Sequence, residues 1–349
     1  MEATRVQPSF LERVMLNMRA RPAAWIVIAM TLGFLVIIGI FAGPSQLINT
    51  IVTGGMWALM AVGLALVFGV MNIPHFAHGD SFMIGAYVAY FVFTPIQAYL
   101  RDNPNPFLSA VGPLIGWIAA ALVGFVAGAV MEKLVFYPLR MRTRRGWVMN
   151  TFLLTVGISF VLVYGANLIL GPNFRGVPNY WNVPPIVIGS VRLTMERIAA
   201  FVVAIVAIVA FWIFLSNTRT GRAIRAVAQD EMGAEMVGIN LNFIYTLTFA
   251  LATAMAALAG ASLLFMFPAY PTVGLKPLYF AWYVVMLVGL GNVQGAIVGG
   301  FIVAVLQTLT QQFFGVSYED VVPVVVMILV LLLVPNGIFG SEVKGIQEQ

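Results

Sequence analysis

The chain contains no cysteine. Disulfides, thiolate metal sites and cysteine nucleophiles are therefore excluded. It has two histidines, His75 and His78, too few for a histidine-rich metal site. Charge is equally scarce. Asp, Glu, Lys and Arg make up 9% of the 349 residues, against roughly 25% in ordinary soluble domains. A water-soluble fold could not cover its surface with so few. No G-x-x-x-x-G-K-[ST] pattern occurs, so the chain cannot cradle a nucleotide in a P-loop by itself. There is no H-E-x-x-H, and the Ser and Asp residues fall in no recognisable hydrolase pattern.

What is present is apolar. Hydrophobic residues make up 61% of the chain, and the mean hydropathy is +0.97. Asp, Glu, Lys and Arg are all missing from residues 22–79, 103–131, 146–174, 198–218, 241–275 and 277–318. About 20 apolar residues of helix cross a hydrocarbon core. These runs reach that length or multiples of it, and continuous apolar runs mean helices rather than a barrel. The expected fold is all-α: a polytopic helical membrane protein with about 8–10 transmembrane helices. Ten spans fall near 25–42, 46–71, 82–100, 111–137, 147–170, 194–215, 242–266, 278–290, 295–314 and 321–335. The short eighth span ends at Gly289-Leu290-Gly291-Asn292 and reads as a broken or re-entrant helix. Residues 1–24 form an N-terminal arm, 25–340 a single membrane domain, and 341–349 a tail. The apolar run from Trp25 to Ala42 is longer than a signal-peptide core, and no A-x-A follows, so an uncleaved first helix is expected.

Lys and Arg placement sets the topology. With the N-terminus in the cytoplasm, Arg5, Arg13, Arg19, Arg21, Lys133, Arg140, Arg142, Arg144, Arg145, Arg219, Arg222, Arg225 and Lys344 fall on the cytoplasmic side. Arg101, Arg175, Arg192, Arg197 and Lys276 fall outside. Both termini are thus expected in the cytoplasm. The isoelectric point near 9.6 then reflects basic loops facing anionic headgroups, with no nucleic acid implied. The external loops at 101–107 and 171–185 are rich in Pro and Asn, hence ordered. Tyr180 and Trp181 read as interfacial anchors, with a docking surface for an external protein as the alternative.

Polar and glycine-rich stretches carry the candidate chemistry. Gly54, Gly55, Ala58, Ala61, Gly63, Ala65 and Gly69 recur along the second span, and Gly289, Gly291, Gly295, Gly299 and Gly300 near the end. Small residues let helix backbones approach closely in lipid, and a broken helix can bind small polar solutes. Between residues 68 and 87, Pro74 and Gly79 interrupt an apolar run. Asn72, His75, His78 and Asp80 cluster there and are expected to satisfy a broken backbone. Together with Gly79, Gly291 and Asn292 they form the candidate translocation path. No metal site is expected. Intramembrane acids, which an ion-coupled carrier needs, are few: Asp80, Glu132 and Glu196, each near a helix end.

One segment differs from the rest. Residues 216–240 carry Arg219, Arg222, Arg225, Asp230, Glu231 and Glu235 between two apolar runs. Thr218 or Thr220 can cap a helix start, and Gly238 can stop it. Gly233 is the expected weak point, giving two short helices or one bent one. Ala223, Ala226, Ala234 and Gly238 are small enough to let it sit deep in a groove. Connecting loops are mostly short, so a long helix-prone one implies docking to an energy-supplying partner.

GGMWALMAVGLALVFGVMNIPHFAHGDSFMIGAYVA (54–89) resembles the signature of LivH-type permeases, the membrane subunits of branched-chain amino-acid ABC importers. TRTGRAIRAVAQDEMGAEMVGIN (218–240) resembles that family's cytoplasmic coupling helix, and PLYFAWYVVMLVGLGNVQGAIVGG (277–300) its late glycine-rich stretch. The resemblance implies a transport subunit in a bacterial-type inner membrane, not an enzyme. Its substrate would be branched-chain or other small amino acids, amides or urea. Its partners would be a LivM-type permease subunit, two ATPases below and an extracytoplasmic solute-binding protein above, in a lipid bilayer. The chain would bind no cofactor, and ATP would be used by the partners. Coupling would run through Gly221, Arg222, Ala223, Arg225, Ala226, Asp230, Glu235 and Gly238. An ion- or proton-coupled secondary carrier, or a channel for small polar solutes, is the alternative class.

Overall fold

A computed structural model describes residues 22–142, 147–177, 179–181, 183–188 and 191–340. The arm up to residue 21, the tail from 341, and Arg144 and Arg145 lie outside the described residues. The chain order is α1 (Pro22–Phe41), α2 (Pro44–Met71), α3 (His78–Asp102) and α4 (Pro106–Met131). A π-helical turn (Glu132–Phe136) leads into α5 (Tyr137–Arg142), then α6 (Trp147–Leu170). A small hairpin follows, β1 (Ile186–Ile188) antiparallel to β2 (Val191–Leu193). Then come α7 (Met195–Asn217), α8 (Arg219–Gln229), α9 (Glu231–Met236) and α10 (Leu241–Ser262). The chain continues with α11 (Leu275–Val288), α12 (Val293–Phe314), a 3-10 turn (Val316–Tyr318) and α13 (Val321–Leu333).

Among the described residues, 8 helical stretches are long and apolar enough to cross a membrane. Trp25–Phe41 and Leu275–Val288 are shorter apolar helices. The fold is the expected helical membrane bundle, with the hairpin as its one β element among the described residues. The proline- and asparagine-rich loop before α4 is ordered by a cap. Asn105 accepts hydrogen bonds from the N–H groups of Phe107 (3.0 Å) and Leu108 (3.2 Å). Pro106 occupies the first helical position, where its missing N–H costs nothing.

Helix α2 is the central one, buried almost continuously from Gly54 to Met71. In lipid the drive to pack comes from close van der Waals contact, and small residues permit it. A Cβ on Gly300 of α12 would lie 2.6 Å from the Ala58 Cα of α2. On the other side of the bundle, a Cβ on Gly124 of α4 would lie 2.5 Å from the Ala257 Cβ of α10. Helices α6 and α13 stand at the periphery and expose Phe160, Leu168, Leu332 and Leu333. Exposed apolar side chains on long helices suit a lipid surface.

Two connections turn back inside the bundle. After α2 the chain does not leave directly into α3. Asn72 adopts a left-handed conformation (φ 54°) and closes the helix with an N–H to Phe68 carbonyl bond of 3.0 Å. Residues 73–77 then return alongside α2, so α3 begins at His78 against the Met60 carbonyl, near the middle of α2. Helix α11 also begins within the bundle. Its preceding Gly274 touches Gly79 of α3 main chain to main chain. At 14 residues, α11 rises only about 21 Å, short of a core about 30 Å thick. The eighth span is a partial one, as its length implied.

The packing makes a contrast testable. Gly300→Val should cost at least about 1–3 kcal/mol through overpacking. Gly157→Val on α6, where nothing lies within 4 Å, should be neutral. The yield of monodisperse detergent-solubilised protein on size-exclusion chromatography compares them.

Candidate functional site

The residues expected at the helix break separate into two places. His75, His78, Gly79 and Asp80 are buried beside the middle of α2. The two imidazole rings lie 5.6 Å apart, edge to face. His75 packs on Phe249 at 4.6 Å, and His78 Nε2 sits 3.1 Å from the Met60 carbonyl. Asn72 is exposed and closes α2. Gly291 and Asn292 lie at the far end, where Gly291 meets Gly69. There Asn292 caps α12 through Gly295 N–H (2.8 Å) and donates to the Phe339 carbonyl (2.8 Å). The two groups thus lie at different depths along α2.

Asn72 and Asn292 serve backbone groups at the helix ends; between residues 73 and 77 the partner comes from another helix. Thr155 of α6 accepts from Phe76 N–H (3.3 Å), and its single hydroxyl proton faces the Phe152 carbonyl of its own helix (2.8 Å) and, at longer range, the Pro74 carbonyl (3.3 Å). Thr151, Thr155 and Ser159 recur every four residues along α6, and that helical spacing was the available signal. Glu132, expected at a helix end, is buried and paired with Arg140 at 2.9 Å. Thr246 donates to its other oxygen. Glu196 is buried too and accepts from Tyr180 N–H at 3.1 Å.

Residues 216–240 fold as two helices. Thr218 caps α8 by accepting from Gly221 N–H at 2.9 Å. The break falls at Asp230 rather than Gly233. Asp230 caps α9, accepting from Gly233 N–H at 3.0 Å, and Gly233 lies inside that first turn. Gly238 (φ 85°) ends α9. The Gly238 N–H bonds the Glu235 carbonyl (2.9 Å), and the Ile239 N–H bonds the Ala234 carbonyl (3.0 Å). That paired pattern is a Schellman stop. Helix α8 buries Gly221, Ile224 and Val227 on one face and exposes Arg222 and Arg225 on the other. Ala223 and Ala226 are half-buried.

The contacts tie α8 to the end of α7. Gly221 packs on the Phe214 and Leu215 backbone, where a Cβ has no room. Arg222 donates to the Asn217 carbonyl (3.2 Å), and Arg225 to the Leu215 carbonyl. Cations suit a helix C-terminus, where carbonyls lack partners. Beyond them Met232, Met236 and Val237 are exposed, at 74%, 83% and 78%, beside exposed Glu231 and Glu235.

At the opposite end of α7 a cavity of about 350 Å³ opens between α2, α7, α11 and α12. Its wall holds Arg197, Lys276, Glu319 and the buried Trp57. Trp57 Nε1 donates to Gln307 Oε1 (2.9 Å), and Gln307 Nε2 to Glu319 (2.9 Å). Gln311 and Lys276 also donate to Glu319. Arg197 donates to Asn49. None of the residues expected at the helix break lines this cavity. The loop beside β1 departs from expectation as well. Tyr180 is 5% exposed, with its hydroxyl donating to the Ala261 carbonyl (2.9 Å). It packs edge-on to Phe93 and Trp117, so it is a core residue rather than an interfacial anchor. Burial raises its phenol above the ordinary range.

Residues 46–331 match the family model described as the permease component of the branched-chain amino acid transport system. The chain belongs to that family. It is 31% identical over 300 residues to the high-affinity branched-chain amino acid transport permease LivH of Salmonella typhimurium, covering 84% of this chain and 94% of the relative. LivH of Escherichia coli K12 is 30% identical, with coverage of 84% and 94%. BraD of Pseudomonas aeruginosa, also a permease of that description, is 30% identical, with coverage of 84% and 95%. No solved structure matches the chain. The chain is therefore a membrane permease subunit of an ABC importer, not an enzyme, and ATP hydrolysis belongs to separate subunits.

This permease depends on Thr155 at its helix break. Thr155→Val removes the acceptor for the Phe76 N–H and should cost about 1–3 kcal/mol. A lowered thermal unfolding midpoint in detergent, with near-unchanged helical content at low temperature, is the expected result.

Proposed function

We propose that the chain is one of two permease subunits in an importer of branched-chain amino acids in a bacterial-type inner membrane. Both termini and the α8–α9 pair lie on the cytoplasmic side in this reading, and the cavity at Arg197 faces outward. The distribution of Lys and Arg supports that orientation. The family's transport system and the printed descriptions of the relatives support the substrate.

The observation that carries the reading is the attachment of α8 to the end of α7, with α9 packed on α8. A polar pair of helices seated on the membrane bundle, with Met232, Met236 and Val237 turned outward, fits a cytoplasmic ATPase. Methionines pack adaptably at such contacts. Gly221, Arg222 and Arg225 bind α7, Asp230 and Gly238 set the ends of α9, and Glu235 lies on the exposed side. Ala223 and Ala226 keep α8 close to the bundle.

Two ATPases would bind there, and a solute-binding protein at the other end. The chain itself binds no cofactor, and the partners consume ATP. ATP binding would favour one permease state only through different contacts in the two states. Helix α7 is the direct connection between the docking pair and the cavity. The second permease subunit is a LivM-type relative that completes the pathway.

The test is the complete complex in lipid vesicles. Wild type should take up leucine with ATP and its binding protein. Met232→Asp combined with Met236→Asp should cut substrate-stimulated ATP hydrolysis by about tenfold or more, a hot-spot-sized loss. Both positions are exposed, so the spans should assemble normally. Full coupling in that variant would refute docking at α9.

A further inference from the structure

The cavity at the Arg197 end holds charge that a passive wall would not need. On α2 it extends from Gln46 to Trp57, roughly 16 Å at 1.5 Å per residue. It therefore reaches near the middle of the central helix. Glu319, tied through Gln307 to Trp57, sits near that depth, where ionisable groups are costly and mark solute pathways. Its volume, about 350 Å³, is within the range of small-ligand sites.

The charges do not balance. Lys276 is paired with Glu319. Arg197 donates to the neutral amide of Asn49. One positive charge in the cavity thus lacks an anion among its lining residues. Glu319 accepts from Lys276, Gln307 and Gln311. A carboxylate has about four lone-pair sites, so one remains for a further donor. Between these groups the wall is apolar, with Val52, Met56, Trp57, Leu263 and Phe267. Trp57 stacks on Phe280, with centroids 4.7 Å apart and planes 6° from parallel.

We propose that this cavity binds an α-amino acid as its zwitterion, with the carboxylate on Arg197, the ammonium on Glu319 and the aliphatic side chain against Met56, Trp57 and Phe267. A planar guanidinium matches a carboxylate in two-pronged geometry. The apolar wall accepts a branched side chain. An amide or urea would leave Arg197 without an anionic partner. The proposal rests on the amino-acid importer reading and gives the permease its own selectivity, separate from that of the binding protein.

Equilibrium binding of radiolabelled L-leucine to the purified complex in nanodiscs, without binding protein, tests it. Unlabelled leucine should compete, while isoamylamine and isocaproate should compete at least about tenfold less well. Arg197→Gln and Glu319→Gln should each weaken leucine binding by about tenfold or more, and Arg197→Lys should restore part of it. Thr53→Trp, at a lining residue outside the ion network, should fill the cavity and abolish binding. It decides the matter if Glu319→Gln fails to assemble. Absence of saturable binding in wild type, equal competition by the three solutes, or unchanged affinity in Arg197→Gln and Thr53→Trp would overturn the site. Intact ATP-driven uptake with such a result would leave the importer reading standing. Leucine binding without any ATP-driven uptake would do the reverse.

Discussion

A peptide group left bare in hydrocarbon costs several kcal/mol, and the interruptions of this bundle are arranged around that constraint. In the return of residues 73–77 beside α2, Thr155 of α6 accepts from the Phe76 N–H. The end of α11 is treated differently. The Ile338 and Phe339 N–H groups bond the Leu287 and Val288 carbonyls at 2.9 and 3.0 Å, and Asn292 holds the same strip of chain. At α7 the terminal carbonyls are served by two arginines of the following helix. Each irregularity has its partner in a different element, so the breaks also fasten the bundle together.

That fastening gives the two ends of the molecule a common part. Helix α7 starts at the cavity, with Arg197, and ends under α8, with Leu215 and Asn217. Its 23 residues extend about 34 Å. Neither Pro nor Gly occurs within it, the usual sources of a kink. Transmission between the ends therefore needs no chain of side-chain rearrangements, because one stiff rod belongs to both.

The spans were legible because apolar runs without charge have few readings. Helix ends were legible where the cap is a local matter, as at Thr218 and Gly238. The break at Asp230 was misplaced by three residues because glycine looks weaker than aspartate, while the aspartate cap decides. The cavity was not legible. Its wall is drawn from residues near 46–57, 197, 263–276 and 307–319, which only folding brings together. Lys276 and Glu319 did stand out as isolated charges beside long apolar runs, and that was the available signal. Tyr180 misled because a tyrosine in a polar loop resembles an interfacial anchor until the fold closes over it.

The contact between Gly79 and Gly274 has a consequence for how such a bundle opens. The first turns of α3 and α11 meet there main chain to main chain, with no side chain between them. A contact made through side chains can be loosened by rotating or trimming them. Here there is nothing to rotate and nothing smaller than glycine to substitute. Any separation at this level must come from displacement of the two helices as bodies, so the contact is as stiff as the backbone that forms it.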